Sequence, residues 1–256
     1  HGQPRVHQPW TCARLLCSDF GLTLFGPYER QLSMTRIDAH QHFWSLARGD
    51  YGWLTPELET LYRDFLPDDL APMLDSQRIT ATVLVQAAPT VAETRFMLSL
   101  ADTHSFIKGV VGWVDFEQPD APQQISGLAK HPALVGLRPM IQDIADPDWM
   151  LQPDLTPAFQ ALIAQGLTFD ALTLPAHLPN LIRLLGRHPD MRVVINHGSK
   201  PLIRDGLMAP WADHMAALAR DTQAYCKLSG LVTEANADWS TEDLKPYVDH
   251  LLNTFG

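Results

Sequence analysis

Thr80-Ala81-Thr82-Val83-Leu84-Val85-Gln86 is a nearly continuous apolar run, and Thr90-Val91-Ala92-Glu93 follows it after a short turn. A strand with one wet face alternates apolar and polar residues. A run without that alternation is expected where both faces are buried, as in a parallel sheet covered by helices. Thr-x-x-Glu is a capping-box signature: the threonine hydroxyl takes the backbone N–H of the glutamate, whose carboxylate reaches back. Met97, Leu98 and Ala101 then recur at helical spacing. A buried strand followed by an amphipathic helix is a βα unit.

The alternation extends in both directions. Upstream, residues 35–44 read as a short strand that ends in His40 and His42. A long aromatic loop through Tyr51, Trp53 and Pro56 follows, then a short helix after Pro67 carrying Leu70, Met73 and Leu74. Downstream, strands are expected at 107–114, 134–138, 167–172, 191–197 and 225–228. Between and after them, helices are expected around Ile125 and Leu128, then with Phe159, Leu162 and Ile163 on one face, with Thr156 as N-cap, Pro157 in the first turn and Gly166 closing it. Leu178, Leu181, Ile182 and Leu185 mark the next helix, Trp211, Met215, Leu218 and Ala219 another, and Leu244, Val248, Leu251 and Leu252 the last. Seven strand-then-helix units imply an α/β fold with a parallel sheet and helices outside. The expected architecture is a TIM (β/α)8-type barrel with its eighth unit missing, because the chain reaches Phe255-Gly256 where an eighth strand would begin. An open doubly wound sheet is the alternative, and no Gly-rich phosphate turn after the first strand supports it.

A net charge of −10 on 256 residues argues against a nucleic-acid partner, which wants a basic face. No apolar run approaches the roughly 20 residues of a membrane span. Cys12, Cys17 and Cys226 make an odd count without a framework, which points to a reducing, cytoplasmic setting. Residues 1–33, with Pro4, Pro9, Gly21, Gly26 and Pro27 and no sustained period, read as an N-terminal extension ahead of Met34. The barrel domain is then expected over 34–256, incomplete at its C-terminus.

In a barrel, chemistry sits on the ring of strand C-terminal ends. His40 and His42 share a face because side chains two apart in a strand point the same way. Two imidazoles so arranged can share a cation or a substrate. Gln86 ends the second strand, Asp115 the third, Arg138 the fourth and His197 the sixth; His177 follows the fifth, and Ser229 and Glu234 the seventh. A guanidinium at such a mouth suits a carboxylate or an oxyanion. Against these stand plainer roles: solvating a strand end for His40 and His42, starting a helix for His177, pairing with a surface carboxylate for Arg138, capping a turn for Asp115, and structure for Asp170. His104, His131, His188, His214 and His250 fall on helices or their ends as surface or packing residues.

The ordered set Ile37-Asp38-Ala39-His40-Gln41-His42-Phe43-Trp44, Tyr51-Gly52-Trp53-Leu54, Gly109-Val110-Val111-Gly112-Trp113-Val114-Asp115, Gly136-Leu137-Arg138, Cys226-Lys227-Leu228-Ser229-Gly230-Leu231 and Thr233-Glu234-Ala235 resembles the amidohydrolase-2 proteins. Within them it is most similar to the sugar-lactone hydrolases of the fuconolactonase and rhamnonolactonase type. The resemblance implies a TIM-barrel hydrolase that opens an aldonolactone to the free sugar acid. It implies catalytic roles for His40, His42, His197 and Arg138, and substrate contacts for Gln86, Trp53, Asp115 and His177. It also implies one divalent ion, such as Zn, held by His40, His42 and His197, or direct substrate contact by these histidines where relatives need no metal. Two departures stand out: Asn196 replaces the Asp common before the strand-six histidine, and the Gly-Ser-Asp-Trp-Pro-like motif of the family's eighth strand is absent from these residues. Rival expectations are a related decarboxylase acting on a carboxylated substrate, and a non-catalytic truncated fragment.

Overall fold

The computed structural model describes residues 36–256. The N-terminal extension, Met34, Cys12 and Cys17 lie outside these residues. Each apolar run condenses into a short parallel strand: β1 (Ile37–Gln41), β2 (Ala81–Val85), β3 (Ile107–Gly112), β4 (Leu134–Leu137), β5 (Thr168–Ala171), β6 (Val193–Ile195) and β7 (Tyr225–Cys226). The helices between and after them are α1 (Pro67–Gln77), α2 (Val91–Thr103), α3 (Ala121–Leu128), α4 (Thr156–Ala164), α5 (Leu178–Arg187), α6 (Trp211–Asp221) and α7 (Thr241–Phe255).

The strands form one sheet in the order β1-β2-β3-β4-β5-β6-β7, each hydrogen-bonded to the next in sequence. A doubly wound sheet would reverse its order part-way, so that alternative is ruled out. Lys227 directly follows β7, and its Nζ is 3.4 Å from Nδ1 of His40 on β1. The sheet therefore curls until the C-terminal ends of its first and last strands face one another. Among the described residues, β1 and β7 carry no strand on their outer edges.

The inner strand faces and the helix stripes share one core. Leu84, Val110, Leu137, Phe169 and Ile195 are completely buried, as are Ile125, Leu162, Leu181, Met215 and Leu218 from the helices. Phe159 of α4 sits edge-on to Phe116 at 5.3 Å and to Phe169 at 5.4 Å, a geometry that suits the ring quadrupoles. Burying each such side chain contributes about 1.5–3 kcal/mol, enough to make local propensity secondary.

Two helix starts differ from expectation. The α2 capping box is half made: Thr90 Oγ1 accepts from Glu93 N at 3.0 Å, but the Glu93 carboxylate takes the N–H groups of Ala87 (3.0 and 3.1 Å) and Ala88 (2.6 Å) instead of reaching back. Helix α4 grows out of a 3₁₀ turn, Pro153–Leu155, so Thr156 is its first residue and not its N-cap. Gly166 does close α4, in the left-handed region at φ +66. The aromatic loop is pinched at its base, where Trp44 and Phe65 exchange N–H···O bonds of 3.0 Å in each direction. No helix among the described residues is long and apolar enough to cross a membrane.

Candidate active site

A cavity of about 1000 Å³ opens at the C-terminal ends of the strands. His40, His42, Arg138, His197 and Trp53 all line it, in company with Trp44, Met140, Leu172, Lys200 and Lys227. Nε2 of His40 is 3.1 Å from Nε2 of His42. On the far side of its ring, His42 Nδ1 is 2.7 Å from the carbonyl oxygen of Val85. A carbonyl only accepts, so Nδ1 carries the proton and the Nε2 of His42 presents a lone pair. The His40 and His197 rings lie 4.5 Å apart, completing a three-imidazole cluster.

His197 owes its position to an unusual piece of backbone. His197, Gly198, Ser199 and Lys200 all have φ between +51 and +58, a left-handed turn in which three residues are not glycine. Each such residue costs about 1–2 kcal/mol, and the surroundings hold it there. Trp211 Nε1 donates to Gly198 O at 2.6 Å, Ser199 Oγ and Thr173 Oγ1 are 2.8 Å apart, and Lys200 N donates to His197 O at 2.9 Å. The turn carries both His197 and Lys200 to the cavity wall. His197 Nδ1 meets Ser229 Oγ at 2.9 Å, and Gly230 passes so close beneath the ring that a Cβ there would lie 2.6 Å from Nδ1.

Arg138 is the electrostatic anomaly. It is only 4% exposed, and no carboxylate among the described residues makes an ion pair with it. One terminal nitrogen donates to the Gln86 carbonyl, and its Nε–H has no protein partner. Burial lowers its pKa to about 10, with Asp170, Glu93 and Asp143 acting in the other direction, so it stays charged at neutral pH. The same burial, reinforced by Arg138, takes His42 down to about 3. His40 and His197 are likewise held well below the usual histidine range by burial first, then by the neighbouring imidazoles and by Arg138, Lys227 and Lys200. All three imidazoles are therefore neutral at pH 7.

Three residues expected as substrate contacts do not line the cavity. Gln86 is completely buried and off the cavity wall; its amide donates to the Arg138 carbonyl at 3.0 Å and braces that strand end. Asp115 accepts from Glu117 N at 3.0 Å and Gln118 Nε2 at 2.9 Å, a turn cap. His177 accepts the Leu174 N–H on Nδ1 at 3.0 Å, at the start of α5. Trp53 does line it: 40% exposed, its indole N–H donates to Ala87 O at 2.8 Å and its ring meets Trp44 edge-on at 5.4 Å.

Sequence reasoning passed over Lys227, which is 8% exposed and ion-paired to Asp170 at 2.7 Å. Asp170 Oδ1 also accepts Asn196 Nδ2 at 2.7 Å. The signal was available, since Lys227 stands directly after β7 as Arg138 stands directly after β4. Lys200 was hidden by a turn geometry that only Gly198 hinted at.

The expected metal set does not close. Among the described residues no group of three or more His, Cys, Asp or Glu side chains is disposed to hold a metal ion. Nδ1 of His197 is engaged with Ser229, and the cations Lys227 and Arg138 stand close to the His40–His42 pair.

Residues 37–256 match the amidohydrolase family. The chain belongs to that family. This amidohydrolase is 46% identical over 221 residues to the L-fucono-1,5-lactonase of Burkholderia ambifaria, covering 86% of this chain and 76% of that protein. It is 33% identical over 234 residues to the L-fucono-1,5-lactonase of Burkholderia multivorans, covering 86% and 78%. Among solved structures, an amidohydrolase from Burkholderia multivorans crystallised with bound HEPES superimposes with a TM-score of 0.80 at 33% identity, covering 87% of this chain and 81% of that one. A crystal form with bound zinc matches equally well, with a TM-score of 0.80 at 34% identity.

Proposed function

We propose that this amidohydrolase hydrolyses the ring ester of a sugar lactone, releasing the free sugar acid, with Arg138, His42, His40 and His197 at the reacting centre and Trp53 as a substrate contact. The observation that carries the reading is Arg138: a buried guanidinium without a carboxylate partner, its Nε–H unspent, on the wall of a solvent-open cavity. Such a group is suited to an oxygen that becomes anionic during the reaction. Similarity to two L-fucono-1,5-lactonases supports the substrate class.

Lactone hydrolysis needs three things: the carbonyl oxygen stabilised as charge develops, a water deprotonated, and the ring alkoxide protonated. The Arg138 guanidinium on the cavity wall meets the first need. The lone pair on His42 Nε2 meets the second. Its resting basicity is low first because the ring is buried and then because Arg138 faces it; charge forming on the carbonyl oxygen offsets that cation and raises the imidazole pKa as the proton arrives. The imidazolium then returns the proton to the leaving alkoxide, as a general base turned acid does. Trp44 and Trp53 cover an apolar sugar face, and Lys200 lies on the wall that meets the product carboxylate.

No step is assigned to a divalent ion, because the described donors do not close around one. Activity is expected to survive exhaustive chelation, as measured by the initial rate before and after dialysis against a strong chelator. The seven units are read as those of a (β/α)8-type barrel in which an eighth strand would lie between β7 and β1. The acidic surface and cysteine usage fit a cytoplasmic enzyme of small molecules.

A panel of aldonolactones and aromatic carboxylic acids tests the reading. It predicts one equivalent of acid per lactone, above the spontaneous rate, and no carbon dioxide from the acids. Carbon dioxide release with inert lactones would transfer the site to the decarboxylase branch.

A further inference from the structure

Lys200 occupies a place that its backbone resists. It ends the left-handed turn at φ +51, a conformation unfavourable for any residue but glycine. The turn delivers its side chain to the cavity wall, where its charge reaches the His197 imidazole. Arg138, Lys200 and Lys227 all line the cavity, and they are held differently. Lys227 is locked to Asp170 at 2.7 Å, with side chains 10% and 3% exposed. Lys200 is tethered to Glu234 at 3.7 Å, with side chains 22% and 24% exposed. That separation is longer than a hydrogen bond, so the ammonium N–H groups are open to a closer acceptor. Glu234 stands off the cavity wall and is steadied by Thr233, whose hydroxyl lies 3.1 Å from its Oε1. The carboxylates on the wall itself answer to other groups: Asp38 accepts the His40 backbone N–H, Asp50 pairs with Arg48, and Asp143 acts on Arg138.

Hydrolysis changes the charge of what the cavity holds. Water cleaves the bond between the carbonyl carbon and the ring oxygen. The ring oxygen leaves as a hydroxyl with one proton of that water, and the new carboxylic acid gives up the other. A neutral lactone offers Lys200 no charge, whereas the product carries an anion. We propose that Lys200 is the subsite for the product carboxylate, and that Glu234 is a positioning residue that competes for the same ammonium and so promotes product release. A carboxylate entering the pair makes the direct hydrogen bonds that 3.7 Å does not allow, and Glu234 takes the ammonium back as the product departs. One exchangeable ion pair thus separates the neutral substrate from the charged product. The proposal rests on the lactonase reading, since the anion appears only when an ester ring is opened.

The test is equilibrium binding, by calorimetry at pH 7, of L-fuconate, an aldonate, beside L-fucitol, the uncharged alditol of the same sugar. Binding involves no turnover, and lactone hydrolysis assayed on the same samples reports separately on the reading beneath it. Glu234→Gln removes the competing charge and is expected to tighten L-fuconate about threefold, the scale of an ion pair that reaches solvent. Lys200→Met is expected to weaken it about tenfold, the scale of one charge-assisted hydrogen bond. In Lys200→Met/Glu234→Gln the gain should vanish, because the two residues act through one contact. L-fucitol should not distinguish the variants from wild type. Damage to the fold weakens both ligands together and tightens neither, so tightening confined to the anion is a signature that a merely structural ion pair would not give. Unchanged or weaker L-fuconate binding by Glu234→Gln overturns the proposal. So does a gain that survives Lys200→Met, an equal loss of both ligands in Lys200→Met, or a wild-type protein that does not bind L-fuconate.

Discussion

Arg138 carries a buried charge that the protein itself leaves unpaired, and its replacement separates catalysis from folding. Arg138→Met removes the oxyanion donor while relieving an uncompensated charge. kcat is expected to fall by about 10²–10³, the loss typical of one such donor, with the urea midpoint unchanged or raised. Gly230 offers a second residue-scale test. It has φ +66, and an added Cβ would lie 2.6 Å from His197 Nδ1. Gly230→Ala should displace that ring, lowering kcat at least tenfold for a stability loss of about 1–2 kcal/mol; turnover and thermal unfolding of the same preparation decide it. That His40, His42, Arg138 and His197 line the cavity was legible because a polar side chain ending an apolar strand is conspicuous. Gln86, Asp115 and His177 looked equally conspicuous. Their side chains were claimed by neighbours instead: a strand-end carbonyl, a turn N–H and a helix-start N–H. Which partner claims a side chain depends on the next loop, which no residue's own spacing reveals.

At the scale of elements, the aromatic loop and the start of α2 are fastened by one carboxylate. Glu93 is completely buried and takes the N–H groups of Ala87 and Ala88, while the Ala87 carbonyl receives the Trp53 indole. The cavity's aromatic wall thus hangs on Glu93 through a single peptide. Glu93→Ala orphans two buried donors, at about 1–3 kcal/mol each. The expected loss of stability is therefore about 2–6 kcal/mol, read from urea unfolding, with the fluorescence of Trp53 altered before the global transition. The Thr90-x-x-Glu93 pattern announced the helix correctly, but burial redirected its carboxylate to the preceding loop. The left-handed turn at 197–200 was less legible still. Three of its residues disfavour that conformation locally, and only contacts from Trp211 and Thr173 impose it.

Over the whole molecule, the βα repeat was readable because burial on both strand faces removes alternation from the sequence. The barrel reading anticipated a curled sheet but not the contact of Lys227 with His40, which depends on twist accumulated over seven strands. That convergence has a pH signature. His40, His42 and His197 have pKa values lowered from the ordinary 6.5, His42 to about 3, so below 6.5 the unfolded chain binds protons that the native state refuses. Glu93, raised from 4.5 to about 7, works in the opposite sense over the same window. Up to three protons gained against one lost leaves net uptake on unfolding, so stability falls as pH drops from 6.5 toward 4.5. The thermal midpoint should follow that slope, and His42→Asn should make it shallower. The central claim is that this cluster, with its unpaired guanidinium, opens a lactone. The most direct measurement is acid release from a sugar lactone such as L-fucono-1,5-lactone by the purified protein, alongside folded Arg138→Met and above the buffer rate. The account predicts catalysed release that collapses in the variant; a wild-type rate equal to buffer, or equal rates in both proteins, would contradict it.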